Sequence, residues 1–182
     1  MCIRDSPKDA IAAYQRAADL DPSDVHTIDA LGQALLSDNQ LDEAMKQFKM
    51  LADADPEDTE SLVHIGEIQR RQGKFEDALV TIRKARKQDP KSLGAGFNEG
   101  LILDVLGRFD EAAQTYQSMV EITAHANGAD TPDEKSNHAF FLERLGAISI
   151  EQNKTEQAIA AYQKMIDMGG EMCIRDRPSA PC

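Results

Sequence analysis

The feature that most constrains the fold of this chain is a sequence period of 34 residues. The pair Asp-Pro recurs at this spacing, and so do a glycine and an alanine that is followed four residues later by a large side chain. The pairs begin at Asp21, Asp55 and Asp89, the glycines are Gly32, Gly66 and Gly100, and the alanines are Ala10, Ala44, Ala78 and Ala112. A further copy, with Gly146 and Ala158, is displaced by 46 residues and therefore follows an insertion of 12. Such a period indicates a row of similar units, each of which packs mainly on its neighbours.

Each unit is predicted to be a pair of antiparallel helices. Within a period the apolar residues are spaced as on one face of a helix, and short polar or glycine-containing breaks interrupt the pattern at 37–39, 71–73, Gly107 and 152–153. The small residues let two helices cross closely, and the large residue that follows fills the neighbouring groove. Each Asp-Pro pair ends a second helix, because proline has no backbone donor and disfavours helical dihedrals in the residue before it.

This pattern resembles the tetratricopeptide repeat family, whose 34-residue unit carries Leu-Gly, Ala, an aromatic residue and Pro at fixed places. The resemblance covers nearly all of residues 7–171. It implies an all-α fold, a right-handed superhelix (an α-solenoid) of stacked antiparallel helix pairs. The predicted segments are a second helix of a truncated repeat at 7–24, full repeats at 25–58, 59–92 and 93–126, an insertion at 127–138, and a last repeat at 139–171.

The two ends of the chain share the pentapeptide Met-Cys-Ile-Arg-Asp, at residues 1–5 and 172–176. Neither copy continues the repeat, and both resemble the translated mosaic-end sequence that transposases leave in sequencing libraries. We therefore predict that residues 1–6 and 172–182 are artefacts on a fragment of a longer, bacterial-style protein; a genuine terminal repeat is the alternative. All three cysteines lie in these ends, so no cysteine chemistry is expected between them. The compartment, cytoplasmic or exported, and the oligomeric state stay open.

The third repeat departs most from the family pattern. Gly96 stands where a large aromatic residue is preferred, Glu99 stands where leucine precedes the glycine, and the same helix carries Gly94. Because an interior glycine costs about 0.5–1 kcal/mol relative to alanine, the helix over about 92–106 is predicted to be the least stable. Glu99→Leu is expected to stabilise the chain if Glu99 is buried without a partner; the alternative is that its carboxylate reaches solvent past Gly96.

The insertion contains a helix-start signal. Thr131 and Pro132, followed by Glu134, supply an N-cap, a proline at the first helical position and a capping-box partner. The first helix of the last repeat is therefore predicted to begin near 132 and to be longer than its counterparts. The remaining insertion is interpreted as a tolerated surface loop rather than a functional one.

Composition and spacing argue against several kinds of function. A net charge of −12 opposes binding to phosphates, and no apolar run approaches the roughly 18 residues of a membrane span, so we expect a soluble chain with no nucleic-acid partner and no membrane insertion. The four histidines lack the spacing of zinc ligands, although His125 and His138 flank acidic residues that offer an alternative cation site. The glycines from Gly94 to Gly100 fall in repeat phase and follow no strand, so they are not a nucleotide loop. No catalytic residue, cofactor or metal is predicted.

The resemblance also predicts where a partner binds, since the family contacts peptides with the inner face of its first helices, which lines a concave groove. The first half of this groove is polar and the second half apolar. The predicted partner-binding residues are Phe97, Leu101, Asp104, Val105, Phe140, Glu143, Ile150 and Arg70. Phe97 and Leu101 are expected to face Phe140 in one apolar patch, flanked by Asp104, Glu143 and Arg144. The lysines with which co-chaperone relatives grip a terminal carboxylate are missing.

The sequence thus predicts a non-catalytic scaffold that binds a protein or peptide. Two alternatives remain. One is a recruiting or regulatory region of a larger enzyme, because such arrays precede glycosyl- and sulfo-transferase domains in some relatives. The other is a purely structural spacer.

Overall fold

The computed structural model describes residues 7–124 and 131–175, with side chains from 8 to 168. Residues 1–6 and 176–182, whose origin was predicted above, lie outside this range, and so does His125. The predicted artefacts and the cation site that involves His125 therefore stay predictions.

Every regular element in the described residues is an α-helix, which confirms the all-α, repeat-solenoid fold class. The nine helices of this part of the chain are α1 (Pro7–Leu20), α2 (Val25–Ser37), α3 (Leu41–Ala54), α4 (Thr59–Arg71), α5 (Phe75–Gln88), α6 (Leu93–Val105), α7 (Phe109–Thr123), α8 (Pro132–Glu151) and α9 (Thr155–Arg175). The division into repeats given above stays our proposal for the repeat boundaries. Helix α9 continues four residues past the predicted end of the last repeat.

The turns inside the helix pairs share one backbone conformation. The last residue of each break is left-handed, with φ of 60° at Asn39, 77° at Gly73, 69° at Gly107 and 57° at Asn153. Glycine and asparagine adopt this conformation at the lowest cost, which is why they end helices so often. The next backbone N–H then reaches back to a free carbonyl of the helix, as Gln40 does to Leu35 at 2.9 Å. The predicted breaks are thus helix caps.

The Asp-Pro segments between helix pairs are also built from local hydrogen bonds. Asp55 has extended dihedrals at the end of α3, and its carboxylate accepts from the backbone N–H of Glu57 at 3.0 Å. Asp24 and Asp58 then cap α2 and α4. The hydroxyl of Thr27 donates to Asp24 and is the main reason that the pKa of this carboxyl lies below its ordinary value. At pH values above the ordinary pKa of an aspartate, ionised Asp24 therefore contributes to the stability of the fold. This contribution to stability is lost as the pH falls through the lowered pKa of Asp24.

Inside each pair, a large side chain packs on the glycine of the preceding helix. A Cβ built on Gly32 would lie 2.8 Å from the ring of Phe48, and one built on Gly146 would lie 2.7 Å from the ring of Tyr162. The same overlap arises in two further pairs, between Gly66 and Ile82 and between Gly100 and Tyr116. Glycine at these positions is therefore required by the close approach of the two helices.

The described residues form two compact units, which divide within α6 between Asn98 and Glu99. The first unit has a core of leucines and isoleucines around Phe48, with Leu31 and Ile68 fully buried. The second unit buries Tyr116 and Phe141 among the apolar residues of α7, α8 and α9. Each unit thus has its own core.

Helix α8 begins as the sequence predicts. Thr131 is its N-cap, Pro132 is its first residue, and the side chains and backbones of Thr131 and Glu134 form a capping box. The helix spans 20 residues, whereas α2, α4 and α6 span 13 each. Local capping signals were therefore sufficient to place the start of α8.

The expectations for Glu99 in the third repeat need correction. Glu99 is buried, with 6% of its surface exposed, so the alternative in which it reaches solvent is wrong. It also interacts with other groups of the protein, so the condition for stabilisation by Glu99→Leu is not met. Gly94 has a packing role that the sequence did not reveal, because a Cβ there would lie 3.0 Å from the Val63 side chain on α4.

We predict that Gly32→Ala lowers the free energy of unfolding by about 1–3 kcal/mol, because the added methyl group overlaps the fully buried ring of Phe48. This loss exceeds the gain of up to about 1 kcal/mol from the higher helix propensity of alanine. Urea denaturation followed by circular dichroism measures it. The exposed neighbour provides the control: Gln33→Ala should change stability by less than about 0.5 kcal/mol. Phe48→Leu in the Gly32→Ala background should recover part of the loss, and an unaltered Gly32→Ala protein would contradict the packing argument.

Candidate functional site

The predicted partner-binding residues are divided between the two units. Arg70 on α4 and Phe97 on α6 belong to the first unit. The other six belong to the second unit, where α6 carries Leu101, Asp104 and Val105, and α8 carries Phe140, Glu143 and Ile150. The patch predicted to join Phe97 to Phe140 stays a prediction, since each unit is described by itself. We call the part of α6 and α8 that lies in the second unit the α6–α8 surface.

An ion pair connects the two helices of the α6–α8 surface. The guanidinium of Arg144 donates to the carboxylate of Asp104, and both side chains are largely buried. The same guanidinium lies 6.0 Å from the centroid of the Tyr116 ring, within the range of a cation–π interaction. Because Tyr116 itself packs on Gly100 of α6, these contacts tie α6, α7 and α8 together. The ion pair of Asp104 and Arg144 thus fixes the two helices of this surface relative to each other.

Exposed apolar side chains lie at the ends of both helices of the α6–α8 surface. Val105 is 61% exposed at the end of α6, and Ile150 is 56% exposed near the end of α8. Leu101 and Phe140 are half-buried, and the Phe140 ring packs edge-on against the buried Phe141 ring, with centroids 5.4 Å apart. Apolar side chains exposed on a well-packed support are typical of a surface that contacts another chain.

The polar residues of the first unit's inner helices are engaged within the protein. Arg70 donates from Nε to the Oδ1 of Asn98 at 3.0 Å, and Asn98 in turn donates to the backbone oxygen of Gly94 at 3.0 Å. Arg71 pairs with Glu67 at 2.6 Å and also donates to the backbone oxygen of Leu36 at 3.2 Å. The Arg70–Asn98 and Arg71–Leu36 contacts join neighbouring helices, and a role of Arg70 in partner binding stays a prediction.

Two of the histidines, His64 and His138, contact other side chains of the protein. The His64 ring stacks on Phe48, with centroids 4.3 Å apart, and Nδ1 of His138 lies 2.8 Å from the hydroxyl of Thr123. In the part of the chain that the structure describes, no group of three His, Cys, Asp or Glu side chains could hold a metal ion together.

Two grooves were not predicted from the sequence. One, of about 600 Å³, lies between α7 and α9 above Leu142 and Leu145; the other, of about 500 Å³, lies between α1 and α3 above Leu35. Their walls occupy equivalent positions of the repeat, for example Gln15 and Gln117. The repeat period is the signal that could have revealed them, because it places the same groove between successive second helices.

Two family models, both of the tetratricopeptide repeat, match adjoining segments of the sequence at residues 4–62 and 63–128. The chain belongs to the tetratricopeptide repeat family. Its repeats and fold are those of a protein-interaction scaffold. No match was found among curated protein sequences.

Solved structures of other tetratricopeptide repeat proteins share the fold at low sequence identity. MamA from Desulfovibrio magneticus RS-1 is 16% identical, with a TM-score of 0.74 over 92% of this chain and 88% of that one. YrrB, described as a TPR protein with an unusual peptide-binding site, is 21% identical, with a TM-score of 0.64 over 89% of this chain and 77% of that one. A thermophilic TPR protein from Thermus thermophilus is 19% identical, with a TM-score of 0.65 over 93% of this chain and 88% of that one.

The described helices were also compared with the requirements of a membrane span. None of them combines the length and the apolar character that a crossing needs.

We predict that Asp104 and Arg144 are energetically coupled. Asp104→Asn and Arg144→Gln should each lower the free energy of unfolding by about 1–3 kcal/mol, because either change leaves a largely buried polar group without its charged partner. A double-mutant cycle by urea denaturation should give a coupling energy of about 1 kcal/mol or more.

The exposed pair of Asp110 and Lys154, 3.7 Å apart, is the matched control for this cycle. Its coupling energy should be below about 0.5 kcal/mol, because solvent screens both charges. Equal coupling in the two cycles would contradict a positioning role for Asp104 and Arg144.

Proposed function

We propose that this protein is a non-catalytic scaffold that binds a segment of a partner protein on the α6–α8 surface. The observation that carries the proposal is the exposure of Val105 and Ile150 on two helices that Asp104 and Arg144 hold together. A rigid support reduces the ordering cost of binding, so exposed apolar side chains on such a support bind a partner with less loss of entropy.

The side chains of this surface indicate the chemistry of its ligand. Val105 and Ile150 are suited to contact apolar anchors of a ligand, and Leu101 and Phe140 add half-buried apolar side chains on the same two helices. Glu143 and the exposed Glu151 add negative charge at its edge, which favours basic residues beside the anchors. The expected ligand is a helix or extended segment with apolar side chains about one helical turn apart and a flanking Lys or Arg.

Phe97 and Arg70 extend this proposal to the first unit. In the family they belong to the same row of inner helices, and YrrB, which shares the fold, is described as having a peptide-binding site. If the chain is instead a recruiting region of a larger enzyme, such as a transferase, the same surface would bind the substrate protein. The proposal and this alternative therefore share one binding test.

We predict that Val105→Gln with Ile150→Gln weakens peptide binding by about tenfold or more, since both changes remove exposed apolar anchors and leave the packed core in place. Peptides selected from a displayed random library against the unaltered protein would serve as ligands. Fluorescence anisotropy would then give their dissociation constants for each variant.

Val25→Gln with Met50→Gln is the control, because these residues are exposed to a similar extent on helices of the first unit. It should change the affinity by less than about twofold. Selected peptides that bind both double variants equally would move the binding site away from the α6–α8 surface.

A further inference from the structure

The groove of about 600 Å³ between α7 and α9 has an alanine at a position where the other second helices have a large apolar side chain. This residue is Ala113, which lies on α7 in the wall of the groove. The repeat period, with its insertion, aligns it with Ile11, Met45, Leu79 and Ile159. The groove thus includes space that a larger side chain takes up in the equivalent helices.

The small residue leaves an apolar side chain of α8 incompletely covered. In the first unit, Ile11 packs against a core cluster that contains Leu31, which is 0% exposed. Leu145 is the equivalent of Leu31, one position before the glycine, yet it is only half-buried and lines the groove together with Ala113. Covering Leu145 with an apolar group would be favourable, and Ala113 is too short to do so.

The wall on α9 also consists of small residues. Ala160 is exposed, and the neighbouring Ala161 is 4% exposed. Helix α7 has Gln114 and Thr115 at the equivalent positions, so the repeat fold accepts larger residues there. Because neither alanine extends over the groove, Leu145 stays accessible between the two walls.

The rim of the groove combines neutral amides with charges that cancel. Gln114 on α7 and Gln157 on α9 are exposed on opposite walls. A glutamine amide both donates and accepts hydrogen bonds, as a peptide group does. The rim also carries two acids and two cations, which are Asp110, Glu121, Lys154 and Lys164. A polyanion such as a nucleic acid gains little from this balance, whereas a peptide main chain has hydrogen-bonding groups on both sides.

One end of the groove is fixed, and its length fits a short segment. Lys154 lies 3.7 Å from Asp110, and Nε2 of Gln152 donates to the same carboxylate at 2.8 Å, so α7 and the start of α9 are joined there. The α7 wall runs from Asp110 to Glu121, a rise of about 16 Å along the helix. An extended chain covers this distance with about five residues.

We propose that this groove holds an extended segment of a partner protein. One apolar side chain of the segment, of the size of Leu, Ile or Met, enters between Ala113 and Ala160 and covers Leu145. The main chain bonds to Gln114 and Gln157, and the side chains on the other face of the segment stay in solvent. The groove uses residues of α8 other than those of the α6–α8 surface, so this proposal does not depend on the proposed function.

The test uses the full chain and a fluorescein-labelled peptide, Thr-Val-Thr-Leu-Thr-Val-Thr, whose apolar residues alternate. Two comparison peptides have Ser in place of Leu, or N-methyl groups on alternate amides. Anisotropy should show saturable binding of the first peptide. The Ser peptide should bind about tenfold more weakly, because it lacks the side chain that covers Leu145. The N-methylated peptide should bind at least about fivefold more weakly, because it lacks main-chain donors.

Two variants fill the groove with residues that the repeat already uses. Ala160→Gln gives α9 the residue of α7, and Ala113→Met gives α7 the residue of α3. Each should weaken binding of the first peptide by about tenfold or more, because the new side chain occupies the place of the leucine. Ala113→Met should leave the unfolding midpoint unchanged or raise it, since methionine fills gaps readily and would cover Leu145.

Ala12→Gln is the matched control, because it makes the same change at the equivalent position of the groove between α1 and α3. It should alter the affinity by less than about twofold. Val105→Gln with Ile150→Gln should leave binding of the peptide intact, which separates this result from that of the proposed function.

Several results would overturn the proposal. These are equal affinities of the three peptides, the absence of saturable binding up to millimolar peptide, and unchanged affinity in Ala113→Met and Ala160→Gln. A clearly lower unfolding midpoint of Ala113→Met would overturn it too, because the space would then not be that of a larger side chain. Self-association in sedimentation that Ala160→Gln abolishes would also do so, since a second copy would then fill the groove.

Discussion

The contact between a glycine and the large side chain sixteen residues after it is the interaction on which this structure depends. It sets how closely the two helices of a pair approach, and thereby which residues of both helices are buried. Phe48, Ile82 and Tyr116 are fully buried against Gly32, Gly66 and Gly100. In the last pair the ring of Tyr162 packs on Gly146 in the same way. The large side chain at this position is therefore buried against the glycine of the preceding helix.

The local features of the fold could be predicted from the sequence because they depend on residues a few positions apart. The breaks at Asn39 and Gly73, the Asp-Pro ends of helices and the capping box at Thr131 all follow from hydrogen bonds within about six residues. Because the sequence repeats every 34 residues, the same turns and helix ends could then be predicted for each repeat. The burial of Glu99 was misjudged for the opposite reason, since it depends on helix packing and not on residues a few positions away. The contact of Gly94 with Val63 on α4 was missed for the same reason.

The candidate site was predictable only in part. The family resemblance indicated which residues of α6 and α8 to consider, and Asp104, Glu143 and Arg144 were expected together at the edge of a patch. That Arg144 pairs with Asp104 across 40 residues, over the Tyr116 ring, depends on the relative placement of three helices. Spacing along one helix contains no such information.

The charges of this protein lie in two different surroundings, which are distinguished by the contacts that they make. On the inner helices, Arg144, Arg70 and Arg71 have partners on neighbouring helices, so their charges stabilise the array and are already satisfied. On α5, Lys84 and Lys87 are exposed, and at the position of Lys87 the four equivalent helices have an acid. Each repeat contacts mainly its neighbours, so a change of charge on one outer face stays confined to that helix. The glycine contacts remain unaffected, because they use the opposite side of the same helices. A repeat can therefore change the charge of its outer face at little cost to the fold.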